Sequence, residues 1–135
     1  MKLKLYYSDG GKHPVLGQIY HQRQEFSGEL EVARYQRYLA NTLTSIAQNI
    51  EDCDRILSKI KMFEEGKIKT LEVEGNDVDV FISSNFVQIN INVNEDWIGQ
   101  EEGRFSLEEF KAVLSAWRKF LNLPETLSSE ITAEL

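Results

Sequence analysis

Between Lys69 and Asn94 the chain alternates apolar and polar residues three times over, and this stretch constrains the fold more than any other. Leu71 and Val73 alternate with Glu72 and Glu74, and Val78, Val80 and Ile82 with Asp79 and Phe81. Val87, Ile89, Ile91 and Val93 alternate with Gln88, Asn90, Asn92 and Asn94. A period of two is what a pleated strand needs when one face is buried and the other is wet. The turn-type clusters Gly75-Asn76-Asp77 and Ser83-Ser84-Asn85 fill the two gaps, so the stretch predicts an antiparallel meander of three strands. Its polar face carries Glu72, Glu74 and Asp79 but no lysine or arginine.

The segment after the meander, Glu95 to Phe105 (EDWIGQEEGRF), has two glycines, four acids and no periodic pattern. Trp97 within it admits two readings. An aromatic in an acidic, glycine-bounded loop is the kind of side chain that anchors interfaces; equally, it folds back to plug the open end of the sheet. Ser106-Leu107-Glu108-Glu109 is then a capping box that opens a helix. Leu107, Phe110, Val113, Leu114, Trp117, Phe120 and Leu121 give that helix a wide apolar stripe, and Pro124 ends it. The stripe is expected to lie across the apolar face of the meander. The tail from Glu125 to Leu135 shows no clear pattern and is expected to fray.

Upstream, Lys2 to Tyr7 alternates well enough for a strand, which would extend the meander to four, and Asp9-Gly10-Gly11 breaks it. Lys12 to Phe26 reads as a loop because of Pro14 and Gly17. It holds both histidines, His13 and His21, with Glu25 four residues after the second. No third ligand stands at a metal-binding spacing, so surface histidines are expected. Ser27 reads as a helix N-cap, and from Glu29 to Glu65 the chain has neither Gly nor Pro. Leu39, Leu43, Ile46, Ile50, Cys53, Leu57 and Ile60 step by three or four, which predicts one long helix, or two joined by a kink near Asn41-Thr42. Cys53, between Asp52 and Asp54, is expected as a buried core thiol, since adjacent carboxylates disfavour a thiolate.

The 135 residues suffice for one domain, 1–135, with a sizeable core. No apolar run approaches the roughly 18 residues of a membrane helix. MKLKLYYSDGG lacks the apolar stretch of a secretion signal, and a single cysteine allows no internal disulfide. A cytoplasmic protein is the expectation. Charge is unevenly placed. Ten acids and one base, Arg104, lie between Glu72 and Glu109, a net −9 within a chain of net −7, so the remainder is +2. Such a surface repels nucleic acid and anionic membranes and attracts a basic protein partner. No glycine-rich phosphate loop, nucleophile elbow or zinc-protease motif is present, so neither an enzyme nor a cofactor is expected.

Gly103 to Phe110 (GRFSLEEF), followed by Leu114, Trp117, Phe120 and Leu121, resembles the ending of small bacterial immunity proteins of contact-dependent growth inhibition and related polymorphic toxin systems. The strand with an acidic exit, Val87 to Asp96, is similar too; together the likeness covers about 40 residues. It implies a cytoplasmic protein that binds a cognate toxin domain, often a basic nuclease, and blocks its active site. Charge and resemblance together place the expected contact surface at Glu72, Glu74, Asp79, Glu95, Asp96, Trp97, Glu101 and Glu102. The competing reading is a structural or regulatory homo-oligomer assembled through the long N-terminal helix; as an immunity protein the chain is expected to be a monomer or weak homodimer. The expected fold is α+β: a long N-terminal helical segment, the meander of three to four strands, and the C-terminal amphipathic helix packed on the sheet.

Overall fold

The chain opens with a hairpin in which β1 (Lys2–His13) pairs antiparallel with β2 (Gly17–Ser27) around a turn at Pro14-Val15-Leu16. These and all further positions come from a computed structural model that describes residues 1–135. The helical stretch 32–46, α1, follows, with a π-helical turn at Tyr35–Leu39. Next come α2 (Ile50–Glu64), β3 (Leu71–Glu74), β4 (Val78–Ile82) and β5 (Val87–Ile91). Two 3-10 turns, Glu95–Trp97 and Glu101–Gly103, lead to the two-residue β6 (Arg104–Phe105), then α3 (Leu107–Leu121) and β7 (Glu130–Glu134). The strands form two antiparallel sheets, ordered β2-β1-β7 and β3-β4-β5-β6.

The meander is where alternation placed it, with Leu71, Val73, Val78, Val80, Ile82, Val87, Ile89 and Ile91 buried. The capping box at Ser106 is also present, Ser106 Oγ accepting from Glu109 N at 3.1 Å. The long N-terminal helix is not. The N-terminal segment is the hairpin, and Ser27 is the last residue of β2 rather than a helix cap. The helical region starts at Val32, behind Glu31 in the left-handed region (φ 64°) without a side-chain cap. It breaks at Ala47–Asn49, not at Asn41-Thr42, where Thr42 Oγ1 donates to Tyr38 O at 2.6 Å within an unbroken helix. The break has two causes. Asn49 caps α2 by accepting from Asp52 N, and the released carbonyl of Ala47 receives the Trp117 indole N–H at 2.7 Å. A run without Gly or Pro therefore still ends where a better cap and a tertiary donor meet.

Three further expectations change. Residues 12–26 are strand and turn, not loop; the arm is exposed on both faces over much of its length, so it shows no apolar period. The N-terminal strand does not extend the meander, whose fourth strand is β6. The tail is ordered, β7 pairing with β1 from Lys2↔Glu134 to Tyr6↔Glu130. That pairing builds a second sheet, and its apolar face (Leu3, Leu5, Tyr7) is the one α3 lies nearest, with the Tyr7 and Phe120 rings 4.6 Å apart. The meander's apolar face is covered by α1 and α2 instead. Alternation shows that a face needs cover, but not which helix supplies it. Both sheets and all three helices share one core cluster. Cys53 is fully buried in it; burial first, then Asp54 and Asp52, push its thiol up to about 11.

Candidate functional site

Register decides which acids share a surface. Glu74 is opposite Asp79 and Glu72 opposite Phe81, while Asp79 faces Asn90 and Phe81 faces Gln88. Directly opposed residues in an antiparallel pair point to the same side, so these six side chains stand together on the outer face of the meander. No helix covers it: Glu72, Glu74 and Phe81 are exposed, and Phe81 keeps 42% of its surface open. Asn92 Nδ2 donates to Asp79 Oδ2 at 2.9 Å. None of Glu72, Glu74 and Asp79 forms an ion pair.

Glu72 feels both its surroundings and its neighbours. Partial desolvation first, then the charges of Glu74 and Asp79, hold the Glu72 carboxyl above its ordinary value. A raised folded pKa means that the folded protein binds this proton more tightly than the unfolded chain does. The resulting stabilisation is complete below the unfolded pKa and is lost as pH rises through the folded one. Glu72→Gln is therefore expected to raise the thermal midpoint at neutral pH and to leave it unchanged at about pH 3, where glutamate is protonated anyway. Thermal unfolding of both proteins across that range checks the sign.

The loop from Glu95 to Gly103 borders the same face. Gly99 N donates to Asn90 Oδ1 at 2.7 Å and Gln88 Nε2 donates to the carbonyl of Gln100 at 2.9 Å. Both bonds tie the loop to outer-face residues of β5. The turn itself is set by Asn94, whose side chain accepts from Asp96 N at 3.0 Å. Glu95, Asp96 and Glu101 are exposed and free of ion pairs, extending the acidic surface along the sheet's flank.

Glu102 and Trp97 turn the other way. The Arg37 guanidinium lies 5.0 Å from the Trp97 ring centroid and 3.5 Å from Glu102 Oε1. Tyr38 donates its hydroxyl proton to Glu102 at 2.8 Å, and burial followed by that carboxylate pushes the phenol up to about 12. Arg34 donates to the carbonyls of Glu102 and Arg104. Glu102 is thus a tether that holds the loop to α1, and half-buried Trp97 is folded back beneath Arg37. Beside them a cleft of about 540 Å³ is lined by Glu31, Arg34, Phe86, Glu101, Glu102 and Arg104, with Arg104 stacked on Phe86.

One residue of this surface escaped the sequence reading. Phe81 occupies a polar-phase position of β4, so an exposed aromatic amid Glu72 and Asp79 was visible in the pattern VDVFI. The histidines take local structural roles. His13 Nδ1 accepts from Val15 N and Leu16 N, both at 3.1 Å, and so closes the hairpin turn; the His21 ring packs over Gly10. No group of three or more His, Cys, Asp or Glu is arranged to hold a metal ion, and no helix is long and apolar enough to cross a membrane. No protein-family model, curated protein or solved structure matches the chain.

Proposed function

We propose that this protein is a toxin-neutralising immunity protein, which captures a basic toxin domain on the outer face of the meander and occludes its active site. The observation that supports this most is the state of Glu72, Glu74 and Asp79. No helix covers them, none forms an ion pair, and strand register sets them side by side around Phe81. A face that only keeps a protein in solution has no need to crowd its acids around an exposed phenylalanine. A cationic partner surface would relieve the repulsion and cover Phe81, combining steering with an apolar anchor. The acids would stand in for the phosphates of a nuclease substrate. The resemblance of residues 87–121 to immunity proteins points the same way.

The homo-oligomer reading loses its physical basis in the first helical region. In α2, Cys53, Ile56 and Ile60 are buried in the core, Leu57 and Phe63 pack against it, and the outer face carries Glu51, Asp54, Arg55 and Lys59. The long N-terminal helix through which it was to assemble is absent, its place taken by the β1–β2 hairpin.

The test is co-expression with the C-terminal domain encoded by the immediate upstream gene, scored by rescued growth and a co-purifying complex. The expected complex weakens with salt, and Glu74→Lys with Asp79→Lys abolishes rescue. Close interfacial charge pairs are worth about 1.5–7 kcal/mol, so a double reversal is expected to lower affinity at least about tenfold. A complex whose affinity and salt slope ignore both substitutions would remove this face from the interface, and no complex at all would sink the proposal.

A further inference from the structure

Of the four outermost strands in the two sheets, three are blunted. In the second sheet β6 has two residues, and β3 has four, with Glu72 and Glu74 among them. In the first, β7 has five residues with a glutamate at either end. Short strands and charged side chains are how proteins keep edges from pairing with strangers. β2 has eleven residues and no proline or lysine. From Gly10 to Gln24 the hairpin arm holds Lys12, Arg23 and both histidines but not one Asp or Glu, in a chain of net −7. Two copies that pair along this stretch bring no carboxylates opposite one another.

The bonding phase of the edge is fixed by Gln36. Its side chain accepts from Phe26 N at 2.9 Å and donates to the Gln24 carbonyl at 2.7 Å, standing where a neighbouring strand would be. Gln24 and Phe26 therefore point their backbone groups away from β1. Strand alternation then turns those of Gln18, Tyr20 and Gln22 the same way, and no side chain or loop bonds to them. Gln36 closes one end of the edge and leaves three residues open.

We propose that this open edge is a self-association site, at which β2 pairs antiparallel with β2 of a second copy about a two-fold axis at Tyr20. That register sets Tyr20 opposite Tyr20 and Gln18 opposite Gln22 of the other copy. All three open residues exchange their N–H and C=O groups, and the turn of each copy comes up to the end that Gln36 caps in the other. Any self-pairing edge gives a closed two-fold dimer rather than a fibre. The two three-stranded sheets join into one of six, and the exposed tip residues Val15 and Leu16, 85% and 73% open, gain a neighbour in the second copy's β2. The acidic face of the meander belongs to the other sheet, so this association does not rest on toxin capture.

Sedimentation velocity over a concentration series is the first measurement. The wild-type protein is expected to shift from monomer to dimer as concentration rises. Tyr20→Lys, which sets two ammonium groups against each other at the axis, is expected to weaken the dimer at least about tenfold. Gln22→Lys does the same at a second open residue, should Tyr20→Lys disturb the packing of Tyr20 on Tyr7. Mild oxidation of Tyr20→Cys is expected to give a covalent dimer, since opposed residues of a bonded pair have Cα atoms about 5.5 Å apart, within disulfide reach. Thr132→Cys on β7 serves as the control and is expected to form no covalent dimer under the same oxidation. A wild type that remains monomeric at every concentration overturns the proposal, as does a dimer that both lysine variants leave intact.

Discussion

Replacing Trp117 with alanine is expected to destabilise the protein by about 3–5 kcal/mol, the range for an aromatic removed from a packed core. Trp117 is 1% exposed and stacks on Phe120 with ring centroids 5.6 Å apart. Truncation leaves a cavity on α3 and also strips the Ala47 carbonyl of its donor, at the place where the helical region divides. Domains of this size are stable by about 5–15 kcal/mol, so the variant is expected to lose a large share of its stability. Trp117→Phe separates the two losses. It keeps most of the packing and gives up the indole N–H, leaving a buried carbonyl unpaired at a cost of about 1–3 kcal/mol. Urea midpoints of the three proteins measure both steps, and a phenylalanine variant as stable as wild type would show that the Ala47 bond contributes nothing.

The second large effect comes from a single methyl group. A Cβ at Gly75 would lie 2.4 Å from the carbonyl oxygen of Ser45 and 2.8 Å from Ile46 Cγ2. The β3–β4 turn touches the end of α1 at this point, where Asn76 N also donates to Ser45 O at 3.2 Å. Since the nearest atoms are backbone, no side-chain rotation relieves the overlap. Gly75→Ala is expected to cost about 3 kcal/mol, the upper part of the usual range for overpacking. Gly99→Ala is the matched control: its Cβ meets nothing within 4 Å, and only its positive φ of 66° opposes the change, a cost of roughly 1 kcal/mol. Equal urea midpoints for the two variants would mean that the turn yields more readily than its contacts imply.

Much of the second sheet was written in the alternation itself. Val78, Val80 and Ile82 fixed a face, and the same phase set Glu72, Glu74 and Asp79 on the opposite side. The cap of α3 was likewise local, needing only Ser106 and Glu109. What sequence could not supply was anything decided by a distant partner. Helix α1 ends at Ile46 because an indole seventy positions away bonds the next carbonyl. The arm from Ser8 to Gln22 has water on most sides, so no selection for a greasy face leaves a period to read. Within the site, Glu101 and Glu102 are neighbours of the same type with different fates. Only the latter meets Arg37 and Tyr38, and that depends on where the π-helical turn at Tyr35–Leu39 aims those side chains. Phe81 was legible in principle, since a large aromatic at a wet position of a strand asks for a reason.

The seam between β1 and β7 bears on how the molecule assembles. Paired residues there are 124 to 132 positions apart, from Tyr6 with Glu130 to Lys2 with Glu134. The β1–β2 hairpin closes over a few residues and forms within microseconds in small model systems. The β1–β7 seam must wait until a loop longer than a hundred residues is drawn shut, an entropic toll of about 4 kcal/mol that only the docked core can offset. The β1 strand is thus among the last to gain its full set of neighbours. Until then its far side stays open, guarded by Lys2 and Lys4, and release of a chain severed before Glu130 would leave that edge open for good.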